Sequence, residues 1–321
     1  MTATAWARRN RSAAGAVPHG LAAVVAAALV ALTPQQKAAL LVVTTERPGV
    51  FTGASHIRFA DQEGGLVKAL PAAPPFEAAR AYTSAASAFA AGRATRAALH
   101  AAGIDVDFAP VFDTSDGPLG SREFASPRYA DAFARGLGSA ACAKHFPGLG
   151  SAAISTDERP HVDARVRAKD LAPYRSAIAG GLRCVMVGQA FYGTRFRATL
   201  EPATYRLLRR LGFTGVAITD SLSLVHDAPV ERWSRQAARA GADLLLFSSP
   251  AHARRAIRAL TPLARRNAST RATCTSSSRS GARSGLIDSS QLRARRGRRA
   301  ATGRAGASRS RSPVRPRPRL G

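Results

Sequence analysis

The sequence predicts an α/β fold of βα units around a mainly parallel sheet, either a (β/α)8-type barrel or a doubly wound open sheet, and three observations predict it. Between Leu40 and Phe247 short β-rich runs alternate with longer Ala-rich stretches, the order that parallel strands joined by helical crossovers require. Most of the β-rich runs are apolar throughout, as strands covered on both faces must be. Polar residues directly follow the runs at Asp61, Asp113, His145, Gln189, Asp220 and Ser248. In a barrel these positions converge on the C-terminal end of the strands, where such folds carry out their chemistry. A doubly wound sheet gives similar alternation, so periodicity alone does not choose between the two.

The strands expected in order are LLVV (40–43), HIRFA (56–60), VDFAPVF (106–112), AACAK (140–144), CVMVG (184–188), GVAIT (215–219) and DLLLF (243–247). A run of strong helix formers covers 76–102. A second helix is expected over 202–211, with Pro202 in the first turn and Gly212 as the stop. The connection 44–55 is shorter than a βα crossover, so one helix of the outer layer is expected to be missing. No G-x-G-x-x-G follows a strand and no Walker-type loop occurs, which removes support for nucleotide binding.

Charge and composition divide the chain into 1–32, 33–266 and 267–321. The last segment holds 14 arginines against a single acid, Asp288, and so carries +13 of the chain's +27. Rich in Ser, Arg, Ala, Gly and Pro without apolar periodicity, it is expected to be disordered. Two origins fit it: a basic tail that binds nucleic acid by counterion release, and a non-native terminus from a shifted reading frame in a GC-rich gene. The second is the working expectation, so no specific nucleic acid partner is expected. At the other end, Arg8, Arg9 and Arg11 precede the apolar run 21–32. This matches the charged and hydrophobic regions of a secretory signal and is too short to span a bilayer. The cell envelope or export is expected if it is a signal, and the cytoplasm if it is a soluble helix. Cys142, Cys184 and Cys274 form neither a disulfide framework nor a zinc-ligand spacing, so no disulfide, metal or cofactor is expected, and a monomer is.

Six motifs then occur in order: ADQEGGLVKAL (60–70), VDFAPVFD (106–113), GSREF (120–124), KHFPGLG (144–150), GFTGVAITDSLSL (212–224) and AGADLLLF (240–247). In order and spacing this set resembles the bacterial β-N-acetylhexosaminidases of glycoside hydrolase family 3. The resemblance implies a (β/α)8 TIM-type barrel over 33–266, incomplete in its helices, which releases terminal β-linked N-acetylglucosamine by a retaining mechanism, with peptidoglycan fragments as the expected source. It also implies Asp220 as the nucleophile, an ionised carboxylate that attacks the anomeric carbon. Substrate binding falls to Asp61, Arg122, Lys144 and His145, whose charged acceptors and donors suit vicinal hydroxyls. Gly64 and Gly65 are expected to let the backbone approach the sugar.

The chain departs from the pattern where relatives place Asp-Ser-His on a loop after KHFPG-x-G. Here Asp157 stands at the aspartate and Arg159 at the histidine, and a guanidinium cannot recycle a proton. Asp157 and His161 are the replacement acid/base candidates. Leu66 stands where a basic residue is common. A catalytically degenerate sugar-binding relative is therefore the alternative to an active hydrolase.

Overall fold

The computed structural model describes residues 31–113, 117–225 and 228–280, with side chains as far as 265. The signal-like stretch 1–30 and the tail beyond 280 lie outside the described residues. Two units divide the chain, Met1–Arg271 and Ala272–Gly321.

In the first unit the strands are β1 (Val42–Arg47), β2 (Val50–Gly53), β3 (Arg58–Ala60), a separate hairpin of β4 (Gln62–Gly64) and β5 (Val67–Lys68), then β6 (Val106–Asp107), β7 (Cys142–Phe146), β8 (Cys184–Val187), β9 (Val216–Thr219) and β10 (Leu245–Phe247). One sheet has the order β10-β1-β2-β3-β6 and another β7-β8-β9. Parallel bridges Asp107↔Ala141 and Ile218↔Leu244 join them, so the pairing of eight strands returns to its start. Around this circuit every pair is parallel except those made by β2, which runs antiparallel to both β1 and β3.

The antiparallel strand corrects the expected (β/α)8 layout. Two connections lack a helix instead of one, because β1 to β2 and β2 to β3 turn within a few residues, and a parallel crossover needs about a dozen or more. Gly49 makes the first turn at φ +72°. The ring of strands is nonetheless complete. Its interior takes one or more side chains from around the whole circuit: Val43, Phe51, Phe59, Phe108, Cys142, Cys184, Met186, Ile218 and Leu246. Phe108, fully buried, stacks on Phe59 with ring centroids 5.2 Å apart. A side chain of that kind contributes about 1.5–3 kcal/mol by burial.

The helices are α1 (Pro34–Ala39), α2 (Ala85–Ala101), α3 (Pro127–Leu137), α4 (Ala168–Ala179), α5 (Pro202–Arg210), α6 (Val230–Ala240) and α7 (Pro250–Ser280). The α5 helix begins at Pro202 and stops before Gly212, which has φ +88°, as the sequence led us to expect. The α2 helix starts nine residues later than the expected 76, because Ser84 caps it by accepting the Ser87 N–H and the segment before it contains only a short 3-10 turn, Ala79–Ala81. The α7 helix runs through Ser280, so residues 267–280 are helical where disorder was expected from 267 onward. Eight of the fourteen residues from 267 to 280 are Ser or Thr, which favour a helix only weakly, but neither Gly nor Pro interrupts the segment. No helix among the described residues is long and apolar enough to cross a membrane.

The expectation of no disulfide is also corrected. Cys142 and Cys184 stand opposite one another on adjacent parallel strands and are bonded, S–S 2.06 Å. Their sequence separation of 42 is one βα unit, a relation that motif spacing does not reveal and strand register does.

Candidate active site

Charged side chains collect where the strands end. Asp61 follows β3, and the chain then enters β4 with Gln62 and Glu63 buried. The Gln62 side chain bonds the backbone of Leu70, Ala73 and Pro74, which fixes the loop beyond the hairpin. Gly64 and Gly65 have positive φ, and a Cβ on them would collide with Glu77 and Ala78. The close approach they permit is therefore to the chain's own 77–78 segment.

Lys144 comes from β7 and is 3% exposed. Its Nζ lies 2.8 Å from Asp61 Oδ1 and 2.5 Å from Glu63 Oε1. Arg122, in the turn Gly120–Arg122, donates to both Glu63 oxygens at 2.9 Å and to Asp157 Oδ2 at 3.2 Å. Glu63 is thus the junction of a chain of charges Asp61–Lys144–Glu63–Arg122–Asp157. Burial alone would raise its carboxyl pKa, but the Lys144 and Arg122 charges and hydrogen bonds outweigh that and hold it at about 2. Burial likewise disfavours the charge on Lys144, and Asp61 and Glu63 reverse the effect, so its pKa is raised.

The neighbouring residue, His145, is anchored by Asp113. Asp113 Oδ2 is 2.8 Å from His145 Nδ1 and accepts the His145 N–H, while Oδ1 accepts the Leu149 N–H. One buried carboxylate thus fixes the imidazole and the turn of KHFPGLG together. Asp107, also buried, accepts the Gln62 N–H through Oδ1, leaves Oδ2 without a partner, and has its carboxyl pKa pushed well up by burial.

Asp220 follows β9, partly buried, and its Oδ1 accepts the Ser221 N–H at 2.6 Å. Ser221 is itself fixed: Gln189 donates to its carbonyl, and its hydroxyl bonds Ser248. Two of the polar strand-end residues thereby position the residue beside Asp220. Burial raises the Asp220 carboxyl, its electrostatic couplings to His145 and Lys144 lower it, and that to Asp157 raises it. Those couplings put Asp220, His145, Lys144 and Asp157 within electrostatic reach of one another. Among the described residues no cation comes within ion-pair distance of Asp220.

The structure therefore brings together Asp220, Asp61, Arg122, Lys144, His145 and Asp157. His161 has other company: it stacks on Phe191 with centroids 4.2 Å apart, and its Nε2 is 3.5 Å from Asp163. Arg159 is exposed, and so is Leu66, at 98%. Sequence reasoning missed Glu63 as the junction and Asp113 as the histidine's anchor. Both stood in quoted motifs, D-Q-E-G-G and VDFAPVFD. The available signal was an acid inside an apolar strand-end motif, which has to find a cation when buried.

Residues 36–277 match the glycosyl hydrolase family 3 N-terminal domain. A β-hexosaminidase of Vibrio cholerae serotype O1 is 34% identical over 212 residues, 58% of this chain and 64% of that protein. A β-hexosaminidase of Stenotrophomonas maltophilia is 34% identical over 147 residues, 39% of this chain and 43% of that one. Among solved structures, a family 3 β-N-acetylglucosaminidase from Paenibacillus sp. superposes with TM-score 0.58 at 28% identity, covering 73% of this chain and 52% of that chain. NagZ from Neisseria gonorrhoeae, in complex with N-trifluoroacetyl-D-glucosamine, gives TM-score 0.56 at 27% identity over 63% of this chain and 68% of its own. The chain thus spans less than two thirds of the length of several of the relatives it resembles.

Proposed function

The chain belongs to glycosyl hydrolase family 3, and from that membership we propose that it is a retaining glycoside hydrolase releasing terminal β-linked N-acetylglucosamine, with peptidoglycan fragments as the source. The observation that carries the proposal is a carboxylate, Asp220, without an ion-pair partner, held in the field of His145 and Lys144 and coupled to a second carboxylate, Asp157. The scaffold is a barrel derived from the (β/α)8 plan by loss of two helices.

In this reading the free oxygen of Asp220 attacks the anomeric carbon while Ser221 N–H holds the other. Positive charge developing on the ring is stabilised by the carboxylate, and a covalent glycosyl ester follows. Asp61 has one oxygen on Lys144 and the other available to accept from a sugar hydroxyl. Lys144 and Arg122 donate, and His145, with Nδ1 on Asp113, offers Nε2. All of these groups are already paired within the protein, so they do not reorganise when the sugar arrives.

Asp157 is the proton carrier we propose. It is 57% exposed on its side chain, on the loop that follows KHFPGLG, and its contact with Arg122 ties it to the sugar-binding network. As an acid it protonates the glycosidic oxygen; as the resulting base it takes a proton from the water that hydrolyses the ester. A carboxyl group thereby does the work that Arg159 cannot.

Leaving-group dependence tests the assignment. Asp157→Ala should cost roughly 10²–10⁴ in the rate of disaccharide cleavage, and much less in the first step with an aryl glycoside whose leaving group needs no proton. His161→Ala should leave both rates within about twofold of the parent, since its ring is stacked on Phe191 and directed at Asp163. Full disaccharide activity in Asp157→Ala, or the leaving-group signature appearing in His161→Ala instead, contradicts the assignment.

A further inference from the structure

Away from the strand ends, the crossing of α2 and α3 builds a second site. The two helices meet at Gly92 and Gly136, where a Cβ would collide with the carbonyl oxygens of Phe133 and Phe89 respectively. The backbones approach closely there, and the longer side chains beyond the crossing surround a cleft of about 560 Å3 lined by Phe89, Arg93, Arg96, His100 and Arg135 with two small residues. The first four lie along α2 at helical spacing and so share one face; Arg135 comes from α3.

No carboxylate lines this cleft. Arg135 is 3.4 Å from Asp131 on its own helix. Among the described residues neither Arg93 nor Arg96 has an acid within ion-pair distance. Arg96 lies over Gly138 at the end of α3, where a cation meets the helix's unsatisfied carbonyls favourably. Arg93 has no comparable structural duty, and Arg135 has only its exposed i,i+4 pair with Asp131. Phe89 is 39% exposed beside them, a large apolar ring left in water next to guanidinium groups.

An anion seated among such guanidinium groups offsets their screened mutual repulsion, and their planar forks match carboxylate and phosphate oxygens two at a time. An exposed aromatic ring offers a face to the C–H surface of a pyranose. The volume accommodates one or two sugar units. We propose that the α2–α3 cleft binds an oxyanion-bearing segment of a glycan, carboxylated or phosphorylated, and so docks the enzyme on the polymer whose ends it cleaves. The choice of a glycan over other anions rests on the hydrolase reading given above; the anion chemistry does not.

The test is direct binding to the full chain at physiological salt, by fluorescence anisotropy of three labelled probes: an oligogalacturonate, a phosphorylated oligomannoside and a short DNA duplex. The parent should bind one of the first two, and which one identifies the anion. Arg93→Glu with Arg135→Glu should weaken that binding at least about tenfold while leaving cleavage of a small neutral aryl glycoside unchanged. The milder pair Arg93→Gln and Arg135→Gln should give an intermediate loss, and serves if charge reversal impairs folding. The basic tail is present in every variant, so binding carried by the tail survives both pairs. Equal affinity in parent and variants, or no binding of either glycan, overturns the proposal, and cleft-dependent binding of DNA above either glycan overturns the choice of ligand. Repeating the titration with Asp220→Asn separates docking from hydrolysis, because a catalytically dead chain should bind as the parent does.

Discussion

The two sides of the candidate site treat their carboxylates in opposite ways. On one side Glu63 is 5% exposed and is held by Lys144 and Arg122 through three contacts of 2.9 Å or shorter. On the other, Asp220 has a single close donor, the Ser221 N–H, and feels its cations only at a distance. Burial acts on both in the same direction; compensation differs. The result is one carboxyl held at about 2 and another raised above its ordinary value. Paired charges make a rigid grip, and an under-compensated one keeps its reactivity at some cost in stability.

The comparison can be broken most forcefully at its reactive half. Asp220→Asn should lower the rate of glycoside cleavage by roughly four orders of magnitude or more, as loss of a nucleophile does, with the fold intact by circular dichroism. On the paired half, Lys144→Ala leaves Glu63 buried against Arg122 alone and Asp61 unpaired. Denaturant unfolding should show a loss of about 1.5–3 kcal/mol, the scale of a hydrogen bond to a charged group, because Glu63 keeps both Arg122 contacts.

A pH titration of stability sharpens the same contrast. Glu63 is depressed from 4.5 to about 2 on folding, so its contribution is complete above pH 4.5 and disappears as pH falls toward 2. That shift corresponds to about 3 kcal/mol, and Glu63→Gln should flatten this part of the curve. Asp220 has the opposite sign: with its folded value raised, its contribution is present below the unfolded carboxyl value and is lost as pH rises through the folded one. The smallest effect follows from that sign. At neutral pH Asp220→Asn should leave stability unchanged or raise it by up to about 1 kcal/mol, while removing the proposed glycosidase activity.

The contrast also explains which parts were legible in the sequence. Asp220, Asp61, Lys144 and His145 lie at strand ends, and strand ends are visible as the point where an apolar run meets a charge. Arg122 came only through its motif. Glu63 was not separated from its neighbours because its role depends on burial by β4 and on a cation from β7, two elements brought together only by the closed ring. The β2 strand, VFTG, was read as part of a short connection, since nothing local to 50–53 says that it pairs on both edges. The Cys142–Cys184 bridge was invisible for the same reason, being a matter of register. At the acid/base loop, counting from the motif gave prominence to Arg159 and His161, and the contact that matters to our reading is Asp157 on Arg122.

The most direct test of the central claim is chemical. Incubation with a fluorinated N-acetylglucosaminyl donor that forms but barely hydrolyses the covalent intermediate, followed by proteolysis and mass spectrometry, should find the sugar esterified to the peptide containing Asp220. Absence of label from active enzyme, or label on another carboxylate, would contradict the account.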